Sequence, residues 1–355
     1  MRKTSREAMN ETRAAHLRVS RVPVSPHQPA ELISRVKPRD PAGRAIVVTL
    51  CTALSRIAAH QTEAGRGESE GVHRLRAAVR RLRSELGALK DFVEPVWQEQ
   101  LEVELKWLAG LLGDLRDLDI LLARLREASS KYETPEVERP ALSPLLKGLE
   151  RRRRRATKAV SAALEMERYR ALIATLERAV EDPPLEKSAG EACRVALPGP
   201  AMASWHRLRK AARDLRDEDP EEEFHEARKR AKSARYAAEL IAPLLGRRAA
   251  RGSTEYIRLT TRVQDALGEH QDALITVGEL EGALSEHSDD SALVERAGQL
   301  LEDQRERARA ARARFFKIWS RLDRKKFRRW MKEGHAAKSH LTESRAAEPQ
   351  KAASI

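Results

Sequence analysis

A histidine followed by cations at positions i+3, i+7 and i+10 occurs twice in this chain, in residues 73–83 and again in residues 225–235. At about 100° per residue, these four positions fall within roughly one quarter of a helix surface. The opposite side of the first copy carries leucine and valine. Each copy therefore predicts a helix with an apolar face for a core and a cationic face directed away from it.

The cationic faces lack the acidic residues that usually balance a solvated helix. In the first copy no acidic residue occurs before Glu85. Like charges at i,i+3 and i,i+4 repel each other by about a few tenths of a kcal/mol per pair. A single stripe of this kind is equally compatible with a solvated surface, but its recurrence at one spacing favours a site for a polyanion.

The composition points to a helical protein with anionic partners. The 355 residues carry a net charge of +14, with an isoelectric point near 10.0, which favours nucleic acid, acidic membranes or phosphate polymers. Hydrophobic residues make up 41% but aromatics only 4%, so alanine, leucine and valine dominate, as in helical bundles. Because the sequence has no run of 18 apolar residues, we expect no membrane span. The basic N-terminus is not followed by an apolar segment and the cysteines form no spaced pattern, so we expect a cytoplasmic protein.

The helical periodicity extends over residues 41–333. It predicts a first half at 41–181, a linker at 182–200 and a second half at 201–333, with disordered polar segments at 1–40 and 334–355. The candidate helices lie near 42–62, 71–91, 97–128 and 141–181, then near 201–216, 221–242, 252–285 and 290–332.

The two halves repeat one design beyond the histidine stripes. A Leu-Gly-acidic stretch starts at Leu112 and again at Leu267, and the last helix of each half has cations spaced i, i+4, i+7. Four antiparallel helices repeated twice with short loops predict an all-α fold of two four-helix bundles related by an internal pseudo-two-fold repeat.

Particular residues of both stripes carry a resemblance to a known family. In the first half they are His73, Arg76 and residues 80–83, and in the second half Phe224, His225, Arg228, Lys229, Lys232, Arg235 and Tyr236. Together with the Leu-Gly stretches, they resemble the CHAD domain, the conserved histidine α-helical domain. The resemblance covers about residues 41–333 and implies two four-helix bundles with a basic surface that binds inorganic polyphosphate. Family members usually have leucine at positions 224 and 227 and a basic residue in place of Ser233.

Recognition of polyphosphate requires an array of cations, because this polymer offers no bases to read. Arginine gives bidentate contacts with phosphate oxygens, and a histidine among cations would accept a proton when phosphate arrives, so that binding tightens in mild acid. The predicted polyphosphate-binding residues are His73, Arg76, Arg80, Arg81, Arg83, Arg151, Arg155, Lys158, His225, Arg228, Lys229, Lys232, Arg235, Arg305, Arg309 and Arg312.

Two acidic patterns suggest catalysis but have a simpler interpretation. Residues 102–106 fit ExExK, the motif of the CYTH triphosphatases, yet the surrounding leucines recur at helical spacing, which cannot present all three side chains to one tunnel. Asp114, Asp117 and Asp119 are expected to pair with basic side chains rather than bind metal. We therefore predict no catalytic residues, no metal and no cofactor.

The leading hypothesis is a non-enzymatic polyphosphate-binding protein associated with intracellular polyphosphate granules. A nucleoid-associated protein that binds nucleic acid non-specifically would use the same charge, although no aromatic residues interleave the stripes for base stacking. A scaffold on another storage granule is a further alternative. A phosphohydrolase would need a metal-binding carboxylate set that the sequence lacks.

Overall fold

The fold is all-α, and no β-strand forms in the residues that the computed structural model describes, which are 33, 35–132, 141–286 and 289–332. Most of the predicted disordered segment 1–40 and all of 334–355 lie outside these residues. The α-helices are α1 (Gly43–Gly65), α2 (Ser69–Ala88), α3 (Pro95–Tyr132), α4 (Ser143–Glu165), α5 (Glu167–Glu181), α6 (Cys193–Ala196), α7 (Pro198–Ala212), α8 (Glu221–Leu244), α9 (Arg247–Glu286) and α10 (Ser291–Leu322). Short 3-10 helices lie at Lys90–Phe92, Lys187–Gly190 and Lys325–Lys332.

The helices pack in the same order in both halves. α1 packs on α2, α2 on α3 and α3 on α4, and the series α7, α8, α9 and α10 repeats these contacts. The two histidine-bearing helices, α2 and α8, pack against each other between the halves. This arrangement is compatible with the predicted internal repeat.

The apolar face of the first stripe is confirmed as core. Leu75, Val79 and Leu82 are fully buried, and Leu86 and Leu89 are at most 3% exposed. Each such burial contributes about 1.5–3 kcal/mol to stability. The main core includes side chains from both halves, and a second, smaller core joins the distal parts of α3, α4, α9 and α10. The halves therefore share hydrophobic interfaces, which fixes α2 relative to α8.

One predicted helix, 141–181, is in fact two helices. The chain bends at Met166, whose backbone is extended (φ −66°, ψ 150°), so α4 ends and α5 begins beside it. The bend lets α5 pack on α1, where Tyr169 donates a hydrogen bond to Gln61 (2.6 Å). No proline or glycine marks this position, so tertiary packing sets the break rather than local sequence.

The segment predicted as a linker, 182–200, packs into the main core in the structure. It contains the 3-10 helix Lys187–Gly190 and α6, and α7 already begins at Pro198. Its backbone bonds to earlier segments, since the amide of Cys193 donates to the carbonyl of Asp40 (2.8 Å). Ala189 and Cys193 are fully buried.

Gly67 forms the turn between α1 and α2 and is the subject of our first prediction. Its φ is +74°, and a Cβ there would collide with the side chain of Thr157. Gly67→Ala should therefore lower the free energy of unfolding by about 1–3 kcal/mol, which chemical denaturation can measure. Gly110→Ala is the matched control, because its Cβ would meet no atom and alanine favours a helix interior. Equal stability of the two variants would contradict the prediction.

Candidate polyanion-binding site

The cationic faces of α2 and α8 meet where the two helices pack together. Four cations form what we call the central cluster: Arg76, Arg80, Arg228 and Lys232. Burial and then the neighbouring arginines of the cluster lower the pKa of Lys232 to about 6. Burial and then Arg76 lower the pKa of Arg80 to about 10, with a further lowering from Arg228. Cations from both halves thus share one surface of high positive potential.

Two aspartates orient the outer members of the central cluster. A guanidinium nitrogen of Arg76 lies 3.2 Å from Asp117 of α3, and Arg228 lies 3.9 Å from Asp272 of α9. The two pairs occupy matching positions in the two halves, as predicted. Asp119 also pairs as expected, with Arg153 at 2.6 Å. These carboxylates position arginines, which confirms the sequence-based interpretation for Asp117 and Asp119.

The Leu-Gly stretches allow the arginines to lie close to the neighbouring helix. A Cβ at Gly113 would be 3.7 Å from a guanidinium nitrogen of Arg76, and one at Gly268 would be 3.8 Å from Arg228. A larger side chain at either glycine would displace the arginine beside it. The repeated glycine therefore belongs to the architecture of the site.

Arg80 and Lys232 differ from the outer members because their charge is not balanced. Within the described part of the chain, no acidic side chain lies within 4.0 Å of the charged nitrogens of either residue. Both side chains are only partly exposed. Cations held together without carboxylate partners raise the local potential and attract an anion.

The two predicted histidines stand on the exposed N-terminal parts of α2 and α8. Partial burial and then Arg116 lower the pKa of His73. The Nδ1 atom of His225 lies 2.9 Å from the amide oxygen of Gln271. Both side chains are exposed, so they are accessible to a ligand.

Two predicted binding residues take part in an ion-pair network between the halves. Arg81 lies 2.7 Å from both Glu85 and Glu239, and so links α2 to α8. Arg235 lies 3.8 Å from Glu239, and its guanidinium stacks 4.6 Å above the ring of Tyr236. Burial raises the pKa of Glu85. The structure therefore gives Arg81 and Arg235 carboxylate partners that compete with a phosphate ligand.

A cavity of about 470 Å³ extends the central cluster between α2, α7 and α8. Arg80 and Lys232 form part of its wall, together with two more predicted residues, Arg83 and Lys229. Arg83 pairs with Glu102, which also lines the cavity, and Lys229 pairs with Glu226. Lys90, Arg207 and Arg230 also line it. Sequence analysis missed these three, because Lys90 and Arg207 lie outside both stripes and Arg230 matches an alanine, Ala78, in the first stripe.

The predicted cations on the last helix of each half have diverse surroundings. Arg151, Arg155 and Lys158 are exposed on α4. Arg305 of α10 pairs with two glutamates, at 2.7 and 2.9 Å, and Arg309 pairs with Glu306 at 2.8 Å. The charge of Arg305 and Arg309 is thus largely neutralised by local partners.

Arg312 packs against the N-terminal end of α8. It donates a hydrogen bond to His270 (2.9 Å), pairs with Glu221 and stacks 4.2 Å from the ring of Phe224. Its side chain is only 14% exposed. The position matches Lys158 of the first half, but the environments differ, since Lys158 is exposed on α4.

The ExExK segment lies within α3, as the leucine spacing predicted. Glu102 pairs with Arg83, and Glu104 lies 2.6 Å from Arg168. Among the described residues, no group of three or more His, Cys, Asp or Glu side chains is placed to hold a metal ion. Nor does the described chain include a helix that combines the length and apolarity needed to cross a membrane.

Two solved structures are similar to this chain in fold. PptA from Streptomyces chartreusis aligns with a TM-score of 0.66 at 22% identity, covering 79% of this chain and all of that one. The CHAD domain from the plant Ricinus communis aligns with a TM-score of 0.61 at 23% identity, covering 80% of this chain and 93% of that one.

Curated relatives come from Mycobacterium tuberculosis. The uncharacterized proteins MT2285 (strain CDC 1551 / Oshkosh) and Rv2226 (strain ATCC 25618 / H37Rv) are each 28% identical over 217 residues, or 58% of this chain. The match spans 39% of the length of these relatives. The family model described as "CHAD domain" matches residues 49–281, which include α2, α8 and the central cluster. The chain belongs to the CHAD domain family.

Proposed function

We propose that this protein binds inorganic polyphosphate through the central cluster and does not hydrolyse it. The observation that carries the proposal is that Arg80 and Lys232, from opposite halves, share one surface without acidic partners in the described chain. A linear polyanion placed there supplies the missing negative charge to both. Arginine at the centre suits phosphate, since its planar guanidinium forms two parallel hydrogen bonds to phosphate oxygens.

The aromatic residue in the cavity wall favours phosphate over single-stranded nucleic acid. Tyr236 lies in this wall, but Arg81 (5.3 Å) and Arg235 (4.6 Å) stack over its ring. Binding of single strands usually depends on exposed aromatic faces for base stacking. A ligand without bases needs no such platform.

The carboxylates beside the central cluster support a binding role rather than hydrolysis. Asp117 and Asp272 already face arginines, and Glu102 and Glu104 of the ExExK segment are also in ion pairs. Phosphoanhydride hydrolysis generally uses carboxylates that hold metal ions or a base that activates water. These four side chains are committed to cations of the protein itself.

Competition binding tests the ligand class, and it is our second prediction. Labelled long-chain polyphosphate should bind the full chain at about 0.15 M salt and be displaced by unlabelled polyphosphate far better than by duplex DNA or RNA at equal phosphate concentration. Its affinity should fall linearly on a plot of log K against log salt, since bound counterions are released. Displacement by nucleic acid at equal or lower concentration would replace the proposal with a nucleic-acid-binding function.

The same preparation tests the absence of hydrolysis. After incubation with long-chain polyphosphate and Mg²⁺ or Mn²⁺, gel analysis should show unchanged chain length and no release of orthophosphate. Chain shortening that disappears in the Glu102→Gln, Glu104→Gln variant would establish an enzyme instead. In cells, we expect the protein to associate with polyphosphate granules, and loss of polyphosphate should disperse a fluorescent fusion.

A further inference from the structure

Two residues that line the cavity beside the central cluster, Gly87 and Ser233, match an ion-paired glutamate and arginine in the opposite halves. Residue n of the first stripe corresponds to residue n + 152 of the second, as His73 does to His225. Arg81 therefore matches Ser233, and Glu239 matches Gly87. At one pair of matching positions, Arg81 and Glu239 form a 2.7 Å ion pair between α2 and α8. At the other pair, Ser233 and Gly87 leave the cavity open and line it.

The open cavity continues the positive surface of the central cluster. Arg80 and Lys232 belong to both, so the surface of the cluster is continuous with the wall of the cavity. Seven of the lining side chains are Lys or Arg, and one, Glu102, is acidic. Its volume of about 470 Å³ lies within the range of small-ligand pockets. Charge and size both suit several phosphate groups of one chain.

Arg207 brings a cation from a helix that lies outside both stripes. It stands on α7, where its guanidinium donates a hydrogen bond to the hydroxyl of Ser204 (3.1 Å). Burial lowers the pKa of Arg207, and the positive charge of Arg230, which also lines the cavity, lowers it further. Within the described residues, no carboxylate lies within 4.0 Å of its guanidinium, and the same holds for Lys90 at the cavity rim.

We propose that a bound polyphosphate chain leaves the central cluster on this side only and enters the cavity, where Arg207 contacts its phosphates. This inference rests on the proposed function. It adds the direction in which the bound chain leaves the central cluster, and Arg207 as a further binding residue. The pseudo-two-fold axis does not impose two equivalent exits, because the Arg81–Glu239 ion pair closes the other side. The binding path is therefore asymmetric although the fold is repeated.

A charge-neutral substitution that fills the cavity is the direct test, and it is our third prediction. The pair Gly87→Glu, Ser233→Arg copies the ion pair of the closed side and leaves the net charge at +14. A Cβ at Gly87 meets no atom within 4 Å, so the helix has room for the change. We expect polyphosphate affinity to drop by about tenfold or more, because contacts with phosphate inside the cavity are lost.

Two further variants keep the result interpretable. Gly278→Glu, Gly282→Arg introduces the same residue types on the exposed distal part of α9, where neither Cβ meets an atom, and should bind like the unmodified chain. Arg207→Gln leaves the cavity open and should also bind about tenfold more weakly. If circular dichroism shows that the filled variant does not fold, the affinity of Arg207→Gln alone tests the proposal.

The outcomes separate this inference from the proposed function. If the unmodified chain binds no polyphosphate, the proposed function fails. If the unmodified chain binds polyphosphate and both cavity variants bind as tightly as the α9 control, the asymmetric path is overturned and the proposed function stands. Weakened binding by both cavity variants, at unchanged thermal stability, supports the path.

Discussion

The double variant Arg80→Gln, Lys232→Met is expected to bind long-chain polyphosphate about 10²- to 10⁴-fold more weakly than the unmodified chain. A hydrogen bond to a charged group contributes about 1.5–3 kcal/mol, and two such cations account for a loss of about 3–6 kcal/mol. Both residues lie in the central cluster without acidic partners in the described chain, so a bound phosphate meets the charge of Arg80 and the ammonium group that Lys232 forms when it takes up a proton on binding. Titration calorimetry at constant salt measures the change.

The same double variant should be more stable than the unmodified chain when no ligand is present. Burial and the surrounding arginines lower the pKa of Lys232 to about 6, below the value of about 10.4 for an unfolded lysine. Between these two pKa values Lys232 therefore loses its proton on folding, and the free-energy cost of that deprotonation grows as the pH falls from about 10 towards 6. Thermal melts should show a gain for the variant that is larger at pH 6 than at pH 9.

A matched control removes one arginine and one lysine elsewhere. Arg178→Gln on α5 with Lys317→Met on α10 changes exposed residues and produces the same loss of net charge. If this control loses as much affinity as the central-cluster variant, polyphosphate binds by overall charge and not at the cluster. A large loss of helicity in the cluster variant would instead show that Arg80 and Lys232 are needed for the fold.

Sequence periodicity was sufficient to predict the part of the site that lies on α2 and α8. The spacing of Leu75, Val79 and Leu82 places them on one helix face, and the need to bury this face leaves the cations on the other. The aspartates of α3 and α9 could also be assigned as partners of arginines, because they recur at matching positions. Local pattern determines which face a residue occupies.

Long-range contacts determine the rest, and a single sequence carries no local signal for them. Arg81 directly follows Arg80 in the first stripe, but its partner Glu239 is 158 residues away along the chain. Arg207 reaches the cavity only because α7 packs on α8. The bend at Met166 likewise depends on the surface that α1 offers to α5. The sequence could therefore predict a cationic face but not which of its charges are neutralised.

Polyphosphate affinity should fall as the pH rises from about 6 to 8, by up to about tenfold per pH unit. In the free protein, the groups that act on Lys232 are Arg228, Arg80 and Arg76, which lower its pKa together with burial, and Asp272, which raises it. Phosphate oxygens add negative charge beside the ammonium group and raise its pKa. Binding above pH 6 therefore takes up a proton, and this uptake becomes more costly as the pH increases.

Lysine, rather than histidine alone, is then the main source of the pH dependence. His73 acts in the same direction, since partial burial and then Arg116 lower its pKa, but its side chain is exposed, whereas Lys232 is partly buried within the central cluster. Binding measured from pH 5.5 to 8.5 at constant ionic strength should give a steep decline for the unmodified chain and for His73→Gln. For Lys232→Met, polyphosphate affinity should stay almost constant above pH 6. A profile that is unchanged in Lys232→Met but flattened in His73→Gln would assign the proton uptake to the histidine, as the sequence first suggested. Long chains are required, because the terminal phosphates of short chains gain charge over the same range and oppose the effect.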